Sequence, residues 1–307
     1  MEPPVAAADP PGLKPRWYSH AYNRAELYRL AGAMGWLPRR VRLGLARQIG
    51  RRAPPLFPAE RAIVARTLER MTGATGPPLA ALVRRLFEDF AMCFSDLVST
   101  NRRPAPELTG HVRAVSGIER VERVDGGLVS LTAHFGNWEM AGRLLAFTAA
   151  RPTHVVVAPE EAQALERWVR RNGDGVRFVP RTRPTVSLEL LAALRRGEVV
   201  AVQGDRALGS RGDALVPFFG EVAPFPLGPF LLARAAGVPL VPAFCVLEPD
   251  RRYSVTVMEP IRVKAGGEEE ALREWVGHLE AAARVRPTQW FNFFDVWDPF
   301  RGHTRPP

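Results

Sequence analysis

Cysteine is scarce in this chain. Of 307 residues only Cys93 and Cys245 are cysteine, far apart and in apolar surroundings. That excludes a disulfide framework and reads as two buried thiols in a reducing compartment. Lysine is equally scarce: of 42 basic residues, only Lys14 and Lys264 are not arginine. There is no run of about eighteen uncharged apolar residues, so no membrane-spanning helix is expected. The start, Met-Glu-Pro-Pro, is acidic and proline-rich, unlike a signal peptide. No Cys/His spacing suits zinc, so no metal site is expected. The Gly-x-Ser-x-Gly elbow is missing too, which argues against a serine hydrolase. No internal repeat is visible.

What is present is a large apolar share, 46%, enough for a sizeable core in one domain or one domain with an appendage. Net charge is +10, nearly all of it arginine. A GC-rich codon bias explains such a composition; so does an anionic partner, whether nucleic acid, an acidic carrier protein or a phospholipid surface. The arginines are spread along the chain and no nucleic-acid-binding motif is present, so nucleic acid is not expected as a partner.

Along the chain, residues 1–15 read as a Pro/Ala-rich disordered tail. Residues 16–105 read as an N-terminal helical segment, either facing a membrane or packing on the core. Within it Gly35 and Pro38 break the helical pattern of Ser19 to Gly50 in two. The second piece carries Val41, Leu45 and Ile49 at four-residue spacing with arginines between, a pattern that suits a membrane surface or a packed helix with its charged face in water. Phe57 to Met71 reads as a third helix. Pro77 to Thr100 is the clearest helix, with prolines in its first turn and one apolar stripe from Leu79 to Val98. From 106 to 300 strand and helix patterns alternate: strands at Thr153–Ala158, Val176–Val179, Glu198–Gln203, Val238–Leu247 and Tyr253–Met258, helices at Glu160–Arg171, Pro184–Leu194, Leu227–Ala236 and Glu268–Ala283. Residues 301–307 form a tail. The alternation predicts an α/β fold with a largely parallel or mixed central sheet flanked by helices.

The organising stretch is Leu128 to Gly142. An apolar run, Leu128 to Ala133, ends in His134; Gly136 and Asn137 are turn formers; a helical pattern starts near Glu139. A buried strand therefore delivers His134 to a tight turn at its carboxyl end, the edge where open α/β sheets bind ligands. Glu139, in the first helical turn, can reach back to one ring nitrogen and fix the tautomer, leaving the other to take a proton. A histidine after a strand is weak evidence by itself; three further stretches add to it. Gly204-Asp205-Arg206, followed by Arg211, sits at another predicted strand end and can face His134. Arg206 and Arg211 suit a phosphate or a developing oxyanion, and Asp205 can pair with Arg206 or accept from a hydroxyl. Pro217 to Pro229 reads as a stiff apolar loop, with Phe219 and Pro226 suited to a wall along a hydrocarbon chain. Within it Gly228 allows close approach to the backbone and Glu221 is the one charge. Gly237 to Pro242 is a strand with prolines near its start.

His-Phe-Gly-Asn-Trp-Glu at 134–139 resembles the first block, His-four residues-acid, of the lysophospholipid acyltransferase superfamily. Gly204-Asp205-Arg206 is similar to its second block, Phe225-Pro-Leu-Gly228 stands in the place of the third, and Val241-Pro242 is similar to the fourth. The lipid A lauroyl/myristoyl acyltransferase-like branch, with its Pro-Phe-Phe-Gly run, and the phosphatidylinositol mannoside acyltransferases are similar. The resemblance implies a glycerolipid acyltransferase-like fold. It also implies transfer of a fatty acyl group from an acyl carrier protein or CoA thioester to a hydroxyl of a membrane lipid or lipid A-like glycolipid precursor. His134 is then the general base and Glu139 its orienter. Gly136, Asn137, Asp205, Arg206, Arg211, Phe219, Glu221, Pro226 and Gly228 contact substrate; Arg206 and backbone amides near Asn137 or Gly228 are the oxyanion candidates. No cofactor is implied, because the thioester is already activated. The expected partners are the thioester carrier and an anionic membrane lipid; the expected place is the cytoplasmic face of the inner membrane, as a peripheral protein. Two departures bear on this. Leu227 stands where the wider superfamily has an acid, which makes Glu221 the candidate for polar work. Pro287-Thr-Gln-Trp290 resembles the family's C-terminal segment, but its Asn-Phe-Phe-Asp continuation is closer to acyltransferases associated with aryl-polyene-type lipids. Alternatives of another class are a basic lipid-binding or nucleic-acid-binding protein without catalysis.

Overall fold

A computed structural model describes residues 25–100, 103, 105–157, 175–207 and 212–298. The tails and the expected helix at 160–171 lie outside the described residues. The strands are β1 (Val112–Ser116), β2 (Leu128–Thr132), β3 (Thr153–Val157), β4 (Val176–Pro180), β5 (Val199–Gln203), β6 (Asp213–Phe218), β7 (Glu221–Pro226), β8 (Leu240–Leu247) and β9 (Tyr253–Val257). The α-helices are α1 (Ala25–Ala33), α2 (Arg39–Arg52), α3 (Pro58–Thr72), α4 (Gly76–Thr100), α5 (Ala105–Leu108), α6 (Ile118–Glu122), α7 (Trp138–Ala149), α8 (Val186–Arg195), α9 (Gly228–Ala236) and α10 (Glu268–Val285).

Seven strands form one sheet in the order β1-β9-β8-β2-β5-β3-β4. From β8 to β4 every pairing is parallel; β9 turns back antiparallel on β8 and carries β1 parallel to itself. The sheet is therefore mixed at one edge, as the β8–β9 hairpin pattern predicts. β2 lies in the middle, and Leu128, Val129 and Leu131 are fully buried. A strand covered on both faces has no use for alternation, which is why it reads as a continuous apolar run. Edge strand β1 and short α6 carry no periodic signal and are not anticipated by the sequence; β1 is largely exposed.

Pro217 to Pro229 is not a loop. Most of it is β6 and β7, a separate antiparallel hairpin, and the rest opens α9. Its turn is Phe219-Gly220, both with positive φ (49° and 82°), the two-residue turn whose twist suits a hairpin. Phe218, Ala223 and Phe225 point inward while Leu215, Pro217 and Val222 point outward. The prolines hid this alternation from a sequence reading. They are tolerated because a two-stranded ribbon consists of edges, where a missing N–H costs little.

The N-terminal helices pack on the core. Leu43 and Ala46 of α2, Val64 and Leu68 of α3 and Leu86, Phe87 and Met92 of α4 share one cluster with Met140, Cys245, Tyr253, Phe291 and Phe293. Both cysteines are free and buried, and burial pushes the Cys245 thiol up to about 12. α2 crosses close over α4 because Gly50 faces it: a Cβ there would lie 2.4 Å from the Phe87 carbonyl oxygen. The crossing is locked by Asp96, wholly buried, which takes Arg39 at 2.6 Å, Arg42 at 2.7 Å and the Tyr253 hydroxyl at 3.0 Å. Among the described residues no helix is long and apolar enough to cross a membrane.

Candidate active site

β2 and β5 are neighbours in parallel register, with Thr132 opposite Gln203. The Gly204 amide donates to the Thr132 carbonyl, which carries the register one step past both strand ends. His134 and Asp205, each two residues beyond its strand, are thereby brought face to face. Asp205 Oδ1 lies 2.8 Å from His134 Nδ1, and Oδ2 accepts from the His134 backbone N–H at 3.0 Å. The carboxylate that holds Nδ1 is thus Asp205, and not Glu139 as the five-residue spacing suggests. Glu139 is buried in the first turn of α7, on the wall of an apolar cavity.

The Asp205 side chain is wholly buried. Oδ2 also accepts from Trp290 Nε1 at 2.9 Å and Asn292 Nδ2 at 3.5 Å. Burial alone pushes this carboxyl up. The His134 ring, its hydrogen bonds and the Arg206 guanidinium outweigh burial and hold it below the usual carboxylate range. An ionised carboxylate can only accept. Nδ1 must therefore carry the ring proton, and the lone pair of the neutral imidazole falls on Nε2. The His134 side chain is 21% exposed, and Trp138 packs edge-on against it at 6.2 Å between ring centres.

The turn that carries His134 is pinned from the C-terminal side. Phe291 N–H donates to the His134 carbonyl at 2.8 Å, and Gly136 N–H to the Gln289 carbonyl at 2.9 Å. Gly136 has φ of 56°, and a Cβ on it would lie 1.8 Å from the Cys245 carbonyl oxygen, so only glycine fits. Gln289 is itself buried and grips the Leu247 backbone amide and carbonyl. Trp290 and Asn292 are therefore site residues that the sequence reading missed. The signal was in the C-terminal Gln-Trp-Phe-Asn run, but its partner lies 85 residues away and nothing local names it.

The other expected contacts divide. Asn137 is wholly buried and caps α7, its Oδ1 accepting from Met140 N–H, which positions the turn. Arg206 Nη2 donates to the Phe291 carbonyl at 3.2 Å, and its guanidinium lies over the Phe294 ring, so it ties the Asp205 loop to the C-terminal segment. Arg211 lies outside the described residues. Phe219 sits at the hairpin tip, its N–H on Glu280 and its ring under Arg284. Glu221 is exposed and paired with Arg70 at 2.7 Å, a surface ion pair. Pro226 is buried at the end of β7. Gly228 opens α9, and a Cβ there would meet nothing within 4 Å, so no close backbone approach within the chain calls for glycine. The hairpin still serves the site at one remove: Phe218 packs edge-on against Trp290 at 5.2 Å, behind the indole that holds Asp205.

A narrow cavity of about 50 Å³ runs between the sheet and α7. Trp138, Glu139, Thr132 and Gln203 line it at the His134 end of β2, Leu128 and Val121 at the other. The four residue steps from Thr132 to Leu128 make it roughly 13 Å long. Apart from Glu139 and a few hydroxyl and amide groups its walls are apolar.

Fold and site together define an α/β protein with a carboxylate-held imidazole at the carboxyl edge of its central strands, beside an apolar channel. The chain belongs to the bacterial lipid A biosynthesis acyltransferase family, whose sequence model matches residues 28–298. It is similar to the phosphatidylinositol mannoside acyltransferase of Mycobacterium tuberculosis (strain CDC 1551 / Oshkosh), with 31% identity over 192 residues and 60% of each chain covered. The protein of that name from Mycolicibacterium smegmatis (strain ATCC 700084 / mc(2)155) is 27% identical over 175 residues, 56% of this chain and 57% of that one. The matched part spans about 60% of the length of these curated relatives. The crystal structure of the 1-acyl-sn-glycerophosphate acyltransferase PlsC from Thermotoga maritima aligns with a TM-score of 0.36 at 15% identity, covering 73% of this chain and 96% of that one.

Proposed function

We propose that this chain is an O-acyltransferase that moves a fatty acyl group from a thioester to a hydroxyl of a membrane glycolipid. The observation that carries the reading is the contact of buried, ionised Asp205 with His134 Nδ1 at 2.8 Å, which makes Nε2 a base. His134 Nε2 takes the proton of the acceptor hydroxyl as its oxygen attacks the thioester carbonyl carbon. The tetrahedral intermediate then collapses, the C–S bond breaks, and the imidazolium returns the proton to the departing thiolate. General-base help of this kind is worth about 10²- to 10⁴-fold. The acyl chain occupies the channel beside Trp138 and Glu139. The donor is an acyl carrier protein or CoA thioester. The acceptor is a phosphatidylinositol mannoside-type glycolipid in preference to lipid A, a choice supported by the names of the relatives. The protein works as a peripheral protein on the cytoplasmic face of the inner membrane.

His134→Ala tests the reading. It should remove transfer of labelled acyl groups from acyl-CoA into a glycolipid extract while the variant keeps its melting temperature. Wild-type transfer by the folded variant would end it. Mass spectrometry of lipids from cells with and without the gene identifies the acceptor.

A further inference from the structure

α2 packs Leu43 and Ala46 into the core and still carries aliphatic side chains on its outer side. Its inner side carries Arg42, buried, with Nη1 on the Ser95 carbonyl at 2.6 Å and Nη2 on Asp96 at 2.7 Å. Its outer side carries Val41, Leu45 and Ile49, about half exposed and one turn apart. A helix on the surface of a soluble domain keeps its outer face charged or polar, without such a row. The stripe continues beyond α2. Trp36, in the turn before it, is 93% exposed, Leu37 and Leu30 are exposed beside it, and Leu56, in the turn after, is 76% exposed. Seven of the thirteen exposed large apolar side chains among the described residues fall between 30 and 56. An apolar groove lined by Leu30, Met34, Ile49, Phe57, Phe90 and Phe94 opens on the same face.

We propose that this face, with Trp36, Leu37, Val41, Leu45 and Leu56 at its centre, inserts into the headgroup–acyl boundary of an anionic bilayer, α2 lying in the plane of the surface. A concentrated apolar patch marks a contact surface, and the charge around it selects the occupant. Of the seven arginines in residues 25–57, Arg39, Arg42 and Arg47 pair with Asp96 and Glu88 of α4, while Arg29, Arg40, Arg51 and Arg52 are exposed. A second copy would set arginine against arginine; an anionic headgroup layer complements them. The aromatic at the tip has the amphipathic ring that settles at membrane interfaces. Arg39 and Arg42 are withheld from this surface by Asp96, and with Leu43 and Ala46 buried beside them the row at 41, 45 and 49 is left outward. The inference rests on the reading of the acceptor as a membrane lipid, but its test contains neither donor nor acceptor. Its failure would leave acyl transfer standing, and failure of the His134 test would leave docking standing.

The test uses the full chain with Leu45→Cys carrying a polarity-sensitive fluorophore. Cys93 and Cys245 are buried, so the label goes to position 45. Leu188→Cys on α8, at another exposed leucine, is the control. Vesicles of phosphatidylcholine with phosphatidylglycerol should shift the label at 45 to the blue and leave that at 188 unchanged. Pure phosphatidylcholine should bind at least about tenfold more weakly, as should the mixed vesicles near 1 M salt, where the screening length is about 3 Å. Trp36→Ala with Leu56→Ala, both on exposed side chains, should lower vesicle affinity about tenfold or more. The proposal is overturned if the label at 45 does not respond to anionic vesicles, or if both positions respond alike. It is also overturned if position 45 is already shifted without lipid, either at all protein concentrations, which means cover by the chain itself, or increasingly with concentration, which means self-association.

Discussion

Asp205→Asn isolates the carboxylate with little change of shape. The amide oxygen can take the place of Oδ2 and keep the bonds from the His134 backbone, Trp290 and Asn292. The amide NH₂ then stands where Oδ1 was, 2.8 Å from His134 Nδ1. Two donors cannot face each other at that distance, so the ring proton must move to Nε2 and the base is lost at the atom that meets the acceptor hydroxyl. The expected loss in kcat is roughly 10²- to 10⁴-fold, or about 2.7 to 5.4 kcal/mol of barrier. Asp205 is wholly buried, so KM should change little. The assay is release of thiol from acyl-CoA dependent on a glycolipid extract, with circular dichroism and a melting curve as fold controls. Wild-type kcat in a folded Asp205→Asn protein would refute the assignment of Nε2 as the base. The variant also reports on acid stability. The depressed pKa of Asp205 means that its contribution is complete above the ordinary carboxylate value of about 3.9 and is lost as pH falls through the lower folded value. The stability gap between wild type and variant should therefore be widest near neutrality and narrow on strong acidification, as urea unfolding at stepped pH would show.

Trp290→Phe removes the indole donor from buried Asp205 and should cost about 1.5–3 kcal/mol of stability. kcat should fall in the same variant, and urea titration with the thiol-release assay reads both. Asp96→Ala leaves Arg42, and Arg39 beside it, without their carboxylate; a loss of about 3–5 kcal/mol follows, measured by urea unfolding. Gly142 lines the cavity between the sheet and α7, and a Cβ there meets only Val155 Cγ2, at 3.9 Å. Gly142→Val should therefore fold, fill space in the channel and move the preferred donor toward shorter acyl chains; an unchanged profile across an acyl-CoA series would remove the channel from the acyl path.

Local chemistry was legible where one segment carries the whole signal. The apolar run of β2 and the turn at Gly136 placed His134 at the carboxyl edge before any coordinates. Gly35 and Pro38 divide the N-terminal helices where they do in the fold, and Gly237, with φ of 70°, ends α9 as its position implies. These features depend on backbone preferences and periodicity that neighbours in the chain share. What tertiary structure alone decided are the partnerships. Glu139 is five residues from His134 and Asp205 seventy-one, yet the register of β2 on β5 gives Nδ1 to Asp205. Trp290 and Asn292 reach the same carboxylate from the end of the chain. The facing of α2 was undecidable from its own residues, since arginine and aliphatic rows alternate around it. Asp96 of α4 holds Arg42 in the interior beside Leu43 and Ala46, and the aliphatic row stays outside, because a buried charge needs a partner and a sequence does not show where that partner will be.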